Sequence, residues 1–249
     1  MLVETTAIVL RRMRYGDTSI IATLLTADRG VESIIAKGAR SAKSRMAALL
    51  EPFEELQVQY YVKPGRELHI LRSAERVAIR HRIHSSYDHL LAALALVEIV
   101  LRLELPGHPA PDVFVALSDA LAALDAAEST LTVIPIAFAL RFAAAHGFSL
   151  EGDSRVIGAL SDQSSEEYIF GVRFDEGKIV ALDDRERSDA VQLAPMVARA
   201  LLEIAATPFE RLKSLSFAES VLCDCWAIAQ RYLEYHFERR LRRTHSGRL

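Results

Sequence analysis

Five short runs rich in β-branched and aromatic residues occupy the chain between residues 6 and 80. Turn residues at Gly16, Gly30 and Gly65 interrupt them. Alternation of apolar and polar side chains with a period of two is typical of strands that bury one face. The pattern predicts five strands, with the sequences AIVLRRM, SIIATLLT, VESIIAKG, LQVQYYV and ELHILRSA.

The connection between the third and fourth runs differs from the other connections. Its sequence, GARSAKSRMAALLEPFE, is too long for a hairpin loop and too polar at its start for a strand. A five-stranded barrel with a long third-to-fourth connection is the outline of an OB fold, and this connection often carries a short helix. We expect that helix at residues 46–50.

Beyond Arg82 the apolar residues repeat with the 3.6-residue period of an α-helix. Within this half, residues 150–188 contain two strand-like segments, EYIFGVRF and KIVALDD, that are joined at Gly177. They predict a β-hairpin inserted into a helical domain. The expected fold class is therefore α+β, with an OB-fold domain at residues 1–82 and a helical domain at residues 83–249.

Charge is distributed unequally between these two parts. Residues 1–82 hold 14 Lys and Arg against 9 Asp and Glu, a net charge of +5, whereas the remainder carries −8. A polyanion should therefore bind to the N-terminal part. The chain lacks a signal-peptide pattern and a long uncharged apolar run, so we expect a cytoplasmic, nucleoid-associated protein.

The basic loop, defined as residues 37–45, is the main candidate for an anion-binding site. It contains four cations and no acid, separated by Gly, Ala and Ser residues that let a ligand approach the backbone. Arg offers a planar fork to phosphate oxygens, Lys a mobile point charge and Ser a hydroxyl donor. The predicted contacts are Lys37, Arg40, Lys43, Ser44 and Arg45. The alternative is an ordinary solvated run of charges.

Strand residues extend this candidate site. Arg11 and Arg12 end the first strand, Tyr60 lies in the fourth, and Arg72 lies in the fifth. Cations beside an aromatic ring on one barrel face are typical of proteins that bind single-stranded nucleic acid by stacking on its bases. Neighbouring Tyr60 and Tyr61 point to opposite faces of the strand, so only one belongs to that surface. The prediction assigns Tyr60 to it.

The N-terminal third contains several specific motifs, namely the AIVL opening, the YGD turn, LLT-x-x-x-G, AKGAR-x-x-x-S, L-x-PF and L-x-x-L-R-S-AE. In these motifs it resembles the RecO family of bacterial recombination mediators. The C-terminal half is similar in its helical pattern, its RFAAAHGF helix end and its final YLEYHFERRLR helix.

This resemblance implies an OB-fold domain, a helical domain and a role in recombinational repair after DNA damage. It implies binding to single- and double-stranded DNA, strand annealing, and contacts with RecR and the C-terminal tail of single-strand-binding protein. Through these contacts the protein would help to load the recombinase RecA, without enzymatic turnover. The resemblance covers Lys37, Arg40, Lys43, Ser44, Arg45 and Arg72, whereas Arg11, Arg12 and Tyr60 come from strand geometry alone.

Many RecO-like proteins also carry a zinc module with four cysteines after the third helix. This chain has only Cys223 and Cys225, and residues 149–188 contain no cysteine. We therefore expect no metal and no other cofactor.

A partner site is expected in the helical half. The tail of single-strand-binding protein is acidic and apolar, so its pocket should pair a cation with exposed apolar helix surface. Arg141 with Phe138 or Phe142 is the candidate.

Two other function classes compete with DNA binding. An enzyme would have to use His81, His84, Asp88 and His89, whose spacing matches no metal-binding motif, and nucleotide-binding and hydrolase motifs are absent from the chain. The other class is a protein-interaction scaffold whose barrel docks proteins or RNA.

Overall fold

A computed structural model describes residues 1–63, 65–129, 131–161, 168–182 and 190–241 of the chain. Contacts divide it into two compact units, Met1–Ala126 and Ala127–Leu249. No helix among the described residues is long and apolar enough to cross a membrane.

The first unit begins with a closed five-stranded barrel, which confirms the predicted OB-type architecture. Neighbouring strands follow the order β1-β2-β3-β5-β4, and the β3–β5 pair that completes the barrel is parallel. The strands are β1 (Leu2–Tyr15), β2 (Ser19–Thr26), β3 (Gly30–Ala36), β4 (Glu55–Tyr61) and β5 (Leu68–Ala78).

Strand β1 is long enough to pair with two neighbours. Its first half, Leu2–Ile8, pairs with β4, and its second half, Ala7–Tyr15, pairs with β2. A bulge between Val9 and Arg11 separates these parts, and bulges increase the local bend and twist of a strand. Beyond the bulge, the last residues of β1 pair with β2 but no longer with β4, and this part of β1 carries Arg12 and Arg14.

The barrel core follows from the period-two pattern of the strands. Ala7, Val9, Leu24, Ile34 and Leu56 are among the inward side chains that are buried. The short helix α1 (Met46–Leu49) lies in the third-to-fourth connection, as predicted, and Leu50 after it is buried in the same core.

Three helices complete the first unit: α2 (His81–Ser85), α3 (Tyr87–Leu103) and α4 (Pro111–Ala126). Arg80 helps to connect α4 to the barrel, because its buried guanidinium donates to the Phe53 carbonyl and to Glu55, and Ser118 of α4 donates to the Glu55 carboxylate. The change from strands to helices thus falls near the predicted boundary at residue 82, whereas the compact unit extends to Ala126. The division into domains 1–82 and 83–249 stays a prediction.

The second unit combines helices with a small sheet. Its helices are α5 (Val133–Ala145), α6 (Ser154–Ser161), α7 (Pro195–Ala206) and α8 (Glu219–Phe237), with a 3-10 helix at Phe209–Ser214. The expected hairpin is present as β7 (Ile169–Arg173) and β8 (Lys178–Leu182). Its predicted extent includes residues 162–167 and 183–188, which lie outside the described residues.

Two further short strands extend this hairpin into a four-stranded sheet. They are β6 (Glu151–Gly152), beside β8, and β9 (Val191–Leu193), beside β7. The sequence places residues 189–249 in the helical part of the domain, and for residues 191–193 this is wrong, because they form a strand. Pro195 occupies the first turn of α7, where its missing N–H requires no partner, so the helix begins after the strand.

Candidate nucleic-acid interface

The basic loop is anchored against the turn between β1 and β2. The Arg40 backbone N–H donates to the Thr18 carbonyl at 2.9 Å, and the Arg40 guanidinium reaches the Gly16 carbonyl at 3.4 Å. Ala39 is buried in the barrel core. The loop is therefore attached to the barrel at its centre, although its charged side chains remain at the surface.

Successive turns shape the rest of the loop. The Ser41 N–H donates to the Gly38 carbonyl and the Ser44 N–H to the Ser41 carbonyl. Gly38 has a φ of 69°, a conformation that glycine adopts without the strain a side chain would bring. The Ser44 hydroxyl accepts from the Met46 N–H at the start of α1, so this predicted phosphate donor also holds the helix entry.

Five cations lie on this end of the first unit, and we call them the cationic rim. They are Arg14, Lys37, Arg40, Lys43 and Arg45, and all five are exposed. Among the residues that the structure describes, none of the five has a carboxylate partner. Cations without an internal counter-ion keep their full attraction for an external anion, and phosphate is the anion that Arg and Lys bind best in combination.

Arg14 is the rim residue that the sequence reasoning missed. In β1 it lies two positions from Arg12, so the period of two puts both side chains on one face of the strand. The register pairs Arg14 with Ile20 and Arg12 with Ala22. That spacing is the signal by which Arg14 could have been found.

Arg12 has a structural task beside the rim. Its guanidinium donates to the Ala47 carbonyl at 2.8 Å and forms an ion pair with Glu51 at 2.5 Å. It thereby holds the end of α1 against β1. Arg11 points to the other face and donates to the Thr23 hydroxyl at 3.1 Å, so the structure does not bring Arg11 together with the rim.

A pocket of about 460 Å³ opens between the end of β1 and helix α1. We call it the Arg14 pocket. Three arginines and Glu51 supply its polar groups, and small or apolar side chains supply the rest. It is lined by Arg12, Met13, Arg14, Ile20, Arg40, Ala47, Ala48 and Glu51.

Arg72 is exposed on β5 near the point where β3 and β5 separate. The parallel ladder pairs Ser33 with Leu68 and ends at Ile35 with Ile70. Continuing that register by two residues would set Lys37 opposite Arg72. The predicted neighbourhood of Arg72 and the basic loop therefore agrees with the strand order, although the ladder itself stops short of both.

Tyr60 is not a surface residue, and its assignment to a stacking face is wrong. It is 0% exposed, because Leu56, Val58 and Tyr60 alternate into the barrel, and its hydroxyl donates to the buried carboxylate of Glu32. Burial and this hydrogen bond raise the pKa of Tyr60 far above its usual range. Its neighbour Tyr61 is exposed instead, as is Tyr15 at the end of β1.

The partner site predicted in the helical half is also wrong in two of its three residues. Phe138 and Phe142 are both 0% exposed, in a helix whose sides are mostly covered. Arg141 lies over the Phe209 ring, 3.9 Å from its centroid, and donates to the Thr207 carbonyl. Arg141 therefore connects α5 to the 3-10 helix, and the two buried rings offer no apolar surface to a peptide.

The histidines at the start of the helical region make local contacts. His84 lies 3.5 Å from Glu54 and near the Phe53 ring, and His89 is buried with its Nδ1 2.8 Å from the Ser86 hydroxyl. In the described part of the chain, no three His, Cys, Asp or Glu side chains are grouped as metal ligands would be.

The buried cysteine of helix α8 is a thiol. Burial raises the pKa of Cys225 to about 12, which keeps the thiol protonated at neutral pH.

Comparison with known proteins extends the similarity over nearly the whole chain. The family described as Recombination protein O N terminal matches residues 1–80, and the one described as Recombination protein O C terminal matches residues 84–245. The DNA repair protein RecO of Salinibacter ruber is 28% identical over 243 residues, which cover 95% of this chain and 89% of that protein.

Two further relatives bear the same description. DNA repair protein RecO of Rubrobacter xylanophilus is 31% identical over 219 residues, covering 86% of this chain and 84% of that protein. The protein of Methylococcus capsulatus is 32% identical over 181 residues, covering 72% of each chain. Because the two family matches extend from the first strand of the barrel to the last helix, the chain belongs to the recombination protein O family of DNA repair proteins.

Proposed function

We propose that this protein is a recombination mediator that binds single- and double-stranded DNA through the cationic rim and anneals complementary strands. The observation that carries the proposal is the presence, on one end of the barrel, of five exposed cations that have no carboxylate partner within the described part of the chain. Family membership supports a role in DNA repair and recombination.

Physical chemistry favours backbone contacts over sequence reading at this surface. Lys and Arg side chains on a loop grip phosphates, which are the same for every sequence, and each neutralised phosphate releases counter-ions. Binding should therefore depend strongly on salt. Neutralising both strands on one surface lowers their mutual repulsion, which is the physical basis of the proposed annealing.

We further propose that the acidic C-terminal part makes the protein contacts. RecR, the tail of single-strand-binding protein and, indirectly, RecA are the proposed partners, and the outcome would be loading of RecA onto coated strands. This role requires no reaction chemistry, so we propose that the protein is not an enzyme.

Charge reversal in the basic loop tests the DNA-binding proposal. The variant K37E/R40E/K43E should bind single-stranded oligonucleotides at least about tenfold more weakly at low salt. It should also lower the slope of log K against log salt by about 2, since each phosphate contact to a single strand contributes about 0.7. Annealing of complementary strands should slow in parallel.

A matched control changes the total charge equally at another place. Lys178, Arg211 and Lys213 are exposed and lie in the second unit, so K178E/R211E/K213E tests the effect of net charge alone. The control should retain most of the wild-type affinity. If both triple variants lose affinity equally, or the loop variant keeps it, the proposed interface is wrong.

A further inference from the structure

We propose that the Arg14 pocket receives one unstacked nucleobase of a single strand, which would make this site prefer single-stranded over double-stranded DNA. The proposal rests on the proposed DNA binding and deepens it. The cationic rim alone gives no such preference, because phosphates are present in both forms of DNA.

The lining of the pocket suits a flat, mostly apolar ring with polar edges. Ile20, Ala47 and Ala48 provide apolar surface, and Met13 adds a flexible, polarizable side chain. Binding sites for small organic groups typically combine apolar side chains with a few placed polar groups in a volume of roughly 300–1,000 Å³. The Arg14 pocket is more highly charged than such sites, and its volume of about 460 Å³ has room for a base.

The three arginines of the pocket differ in how many hydrogen bonds and ion pairs hold their guanidinium groups in place. Arg12 is held by the Ala47 carbonyl and by Glu51, so its planar guanidinium has a fixed orientation, and such planes stack on nucleobases. Within the described residues the Arg14 side chain has no hydrogen-bond or ion-pair partner, and the Arg40 guanidinium bonds only to the Gly16 carbonyl, at 3.4 Å. These two can hold the phosphates on either side of the base.

Glu51 would repel a DNA strand if its charge were uncompensated. The ion pair with Arg12, at 2.5 Å, removes most of that repulsion. The carboxylate remains an acceptor at the pocket wall, where the amino group of a base could donate to it. The pocket therefore accepts a base despite containing an acid.

Access to the pocket depends on the state of the DNA. A base in a single strand unstacks readily, whereas a base in a duplex must first lose its pairing and stacking. A duplex would therefore bind to the rim by its phosphates and leave the pocket empty. The expected result is an added affinity for single strands alone.

Filling the pocket without changing any charge tests this inference. Ala48 lines the pocket and is exposed, so A48L adds bulk there without crowding the barrel core. Single-strand affinity should fall by at least about fivefold, the lower end of what the loss of one stacked base produces. Duplex affinity should stay within about twofold of wild type.

Ala122 provides the matched control. It is an exposed alanine of helix α4 in the first unit and belongs neither to the pocket lining nor to the basic loop, so A122L adds the same bulk outside the proposed interface. This variant should bind both forms of DNA like the wild type. Thermal unfolding of both variants checks that they fold.

A second measurement observes the base directly. An oligonucleotide carrying 2-aminopurine reports unstacking by a rise in fluorescence. The rise should occur with wild type and A122L and be reduced with A48L. If A48L weakens single strands and duplexes equally, or leaves single-strand affinity and fluorescence unchanged, the pocket does not bind a base. DNA binding through the rim would then still stand, because K37E/R40E/K43E tests it separately.

Discussion

At the residue scale, a buried acid is held inside one end of the barrel. Glu32 accepts from the Tyr60 hydroxyl and pairs with Arg29 at 2.7 Å, and His69 lies 3.5 Å from the same carboxylate. A buried charge is tolerated only when it is paired and hydrogen-bonded. Tyr60 therefore has a structural role near the β3–β5 pair that closes the barrel.

Removing the Tyr60 hydroxyl should destabilise the protein without affecting DNA binding. Y60F deprives the buried Glu32 of a donor, which costs about 1–3 kcal/mol of the free energy of unfolding. Urea denaturation measures the change. Y61F is the control, because Tyr61 is exposed, and it should leave both stability and DNA affinity unchanged. A loss of DNA affinity in folded Y60F would contradict this structural role.

His236 should make the stability of the second unit depend on pH. Its ring stacks on Phe148 at 4.2 Å, and among the described residues its Nε2 has no hydrogen-bond partner. Burial lowers the pKa of His236 below its ordinary value of 6.5. At a pH near and below 6.5, His236 of the unfolded chain binds a proton more readily than His236 of the folded chain. The free energy of unfolding should therefore fall as the pH decreases below about 6.5.

Urea denaturation between pH 7.5 and pH 5.5, roughly the window that this depressed pKa defines, checks the prediction. H236F replaces the imidazole with a phenyl ring that cannot be protonated. In this variant the free energy of unfolding should fall less steeply as the pH decreases. H81Q should not reduce this decline, because His81 is exposed. An unchanged decline in H236F would show that other groups are responsible.

At the element scale, the turn between β2 and β3 depends on a close approach of backbone. Gly30 has a φ of 65°, and a Cβ atom there would lie 1.8 Å from the His108 carbonyl oxygen. The adjoining Gly107 N–H donates to the Val31 carbonyl at 3.1 Å. The connection between α3 and α4 is thereby attached to the edge of β3.

Two glycine-to-alanine substitutions distinguish the cost of the close contact with His108 from the cost of a side chain at a positive φ. G16A introduces a side chain at a φ of 55° with no atom within 4 Å, so it should cost about 1 kcal/mol. G30A adds a collision with backbone and should cost more than about 2 kcal/mol in the same denaturation assay. Equal losses would mean that the α3–α4 connection moves aside without cost.

At the scale of the whole molecule, the folding unit can be tested separately from the change in secondary structure. Arg80 and Glu55 of the barrel region contact Ser118 of α4, and a fragment that ends at residue 82 lacks this partner. A fragment of residues 1–126 should therefore unfold cooperatively at a higher temperature than a fragment of residues 1–82. Equal melting temperatures would support residues 1–82 as an independent domain.

The sequence by itself determined the features that arise from local repeats and composition. The period of two in residues 6–80, the period of 3.6 beyond Arg82 and the acid-free basic loop predicted the barrel, the helices and the loop of the candidate site. These signals are local, because the geometry of the backbone sets where each side chain points within its own element.

Only the tertiary structure decided which residues meet or become buried. The enclosure of Phe138 and the partners of Arg141 do not follow from a period, since each depends on segments distant in sequence. For Tyr60 the period of two, shared with Leu56 and Val58, already indicated the inward face, and the tertiary structure showed that this face is the core. The Arg14 pocket needs the β1–β2 register and the anchoring of Arg40 to Gly16 and Thr18. Burial is a property of contacts between elements, and a local pattern carries that information only in part.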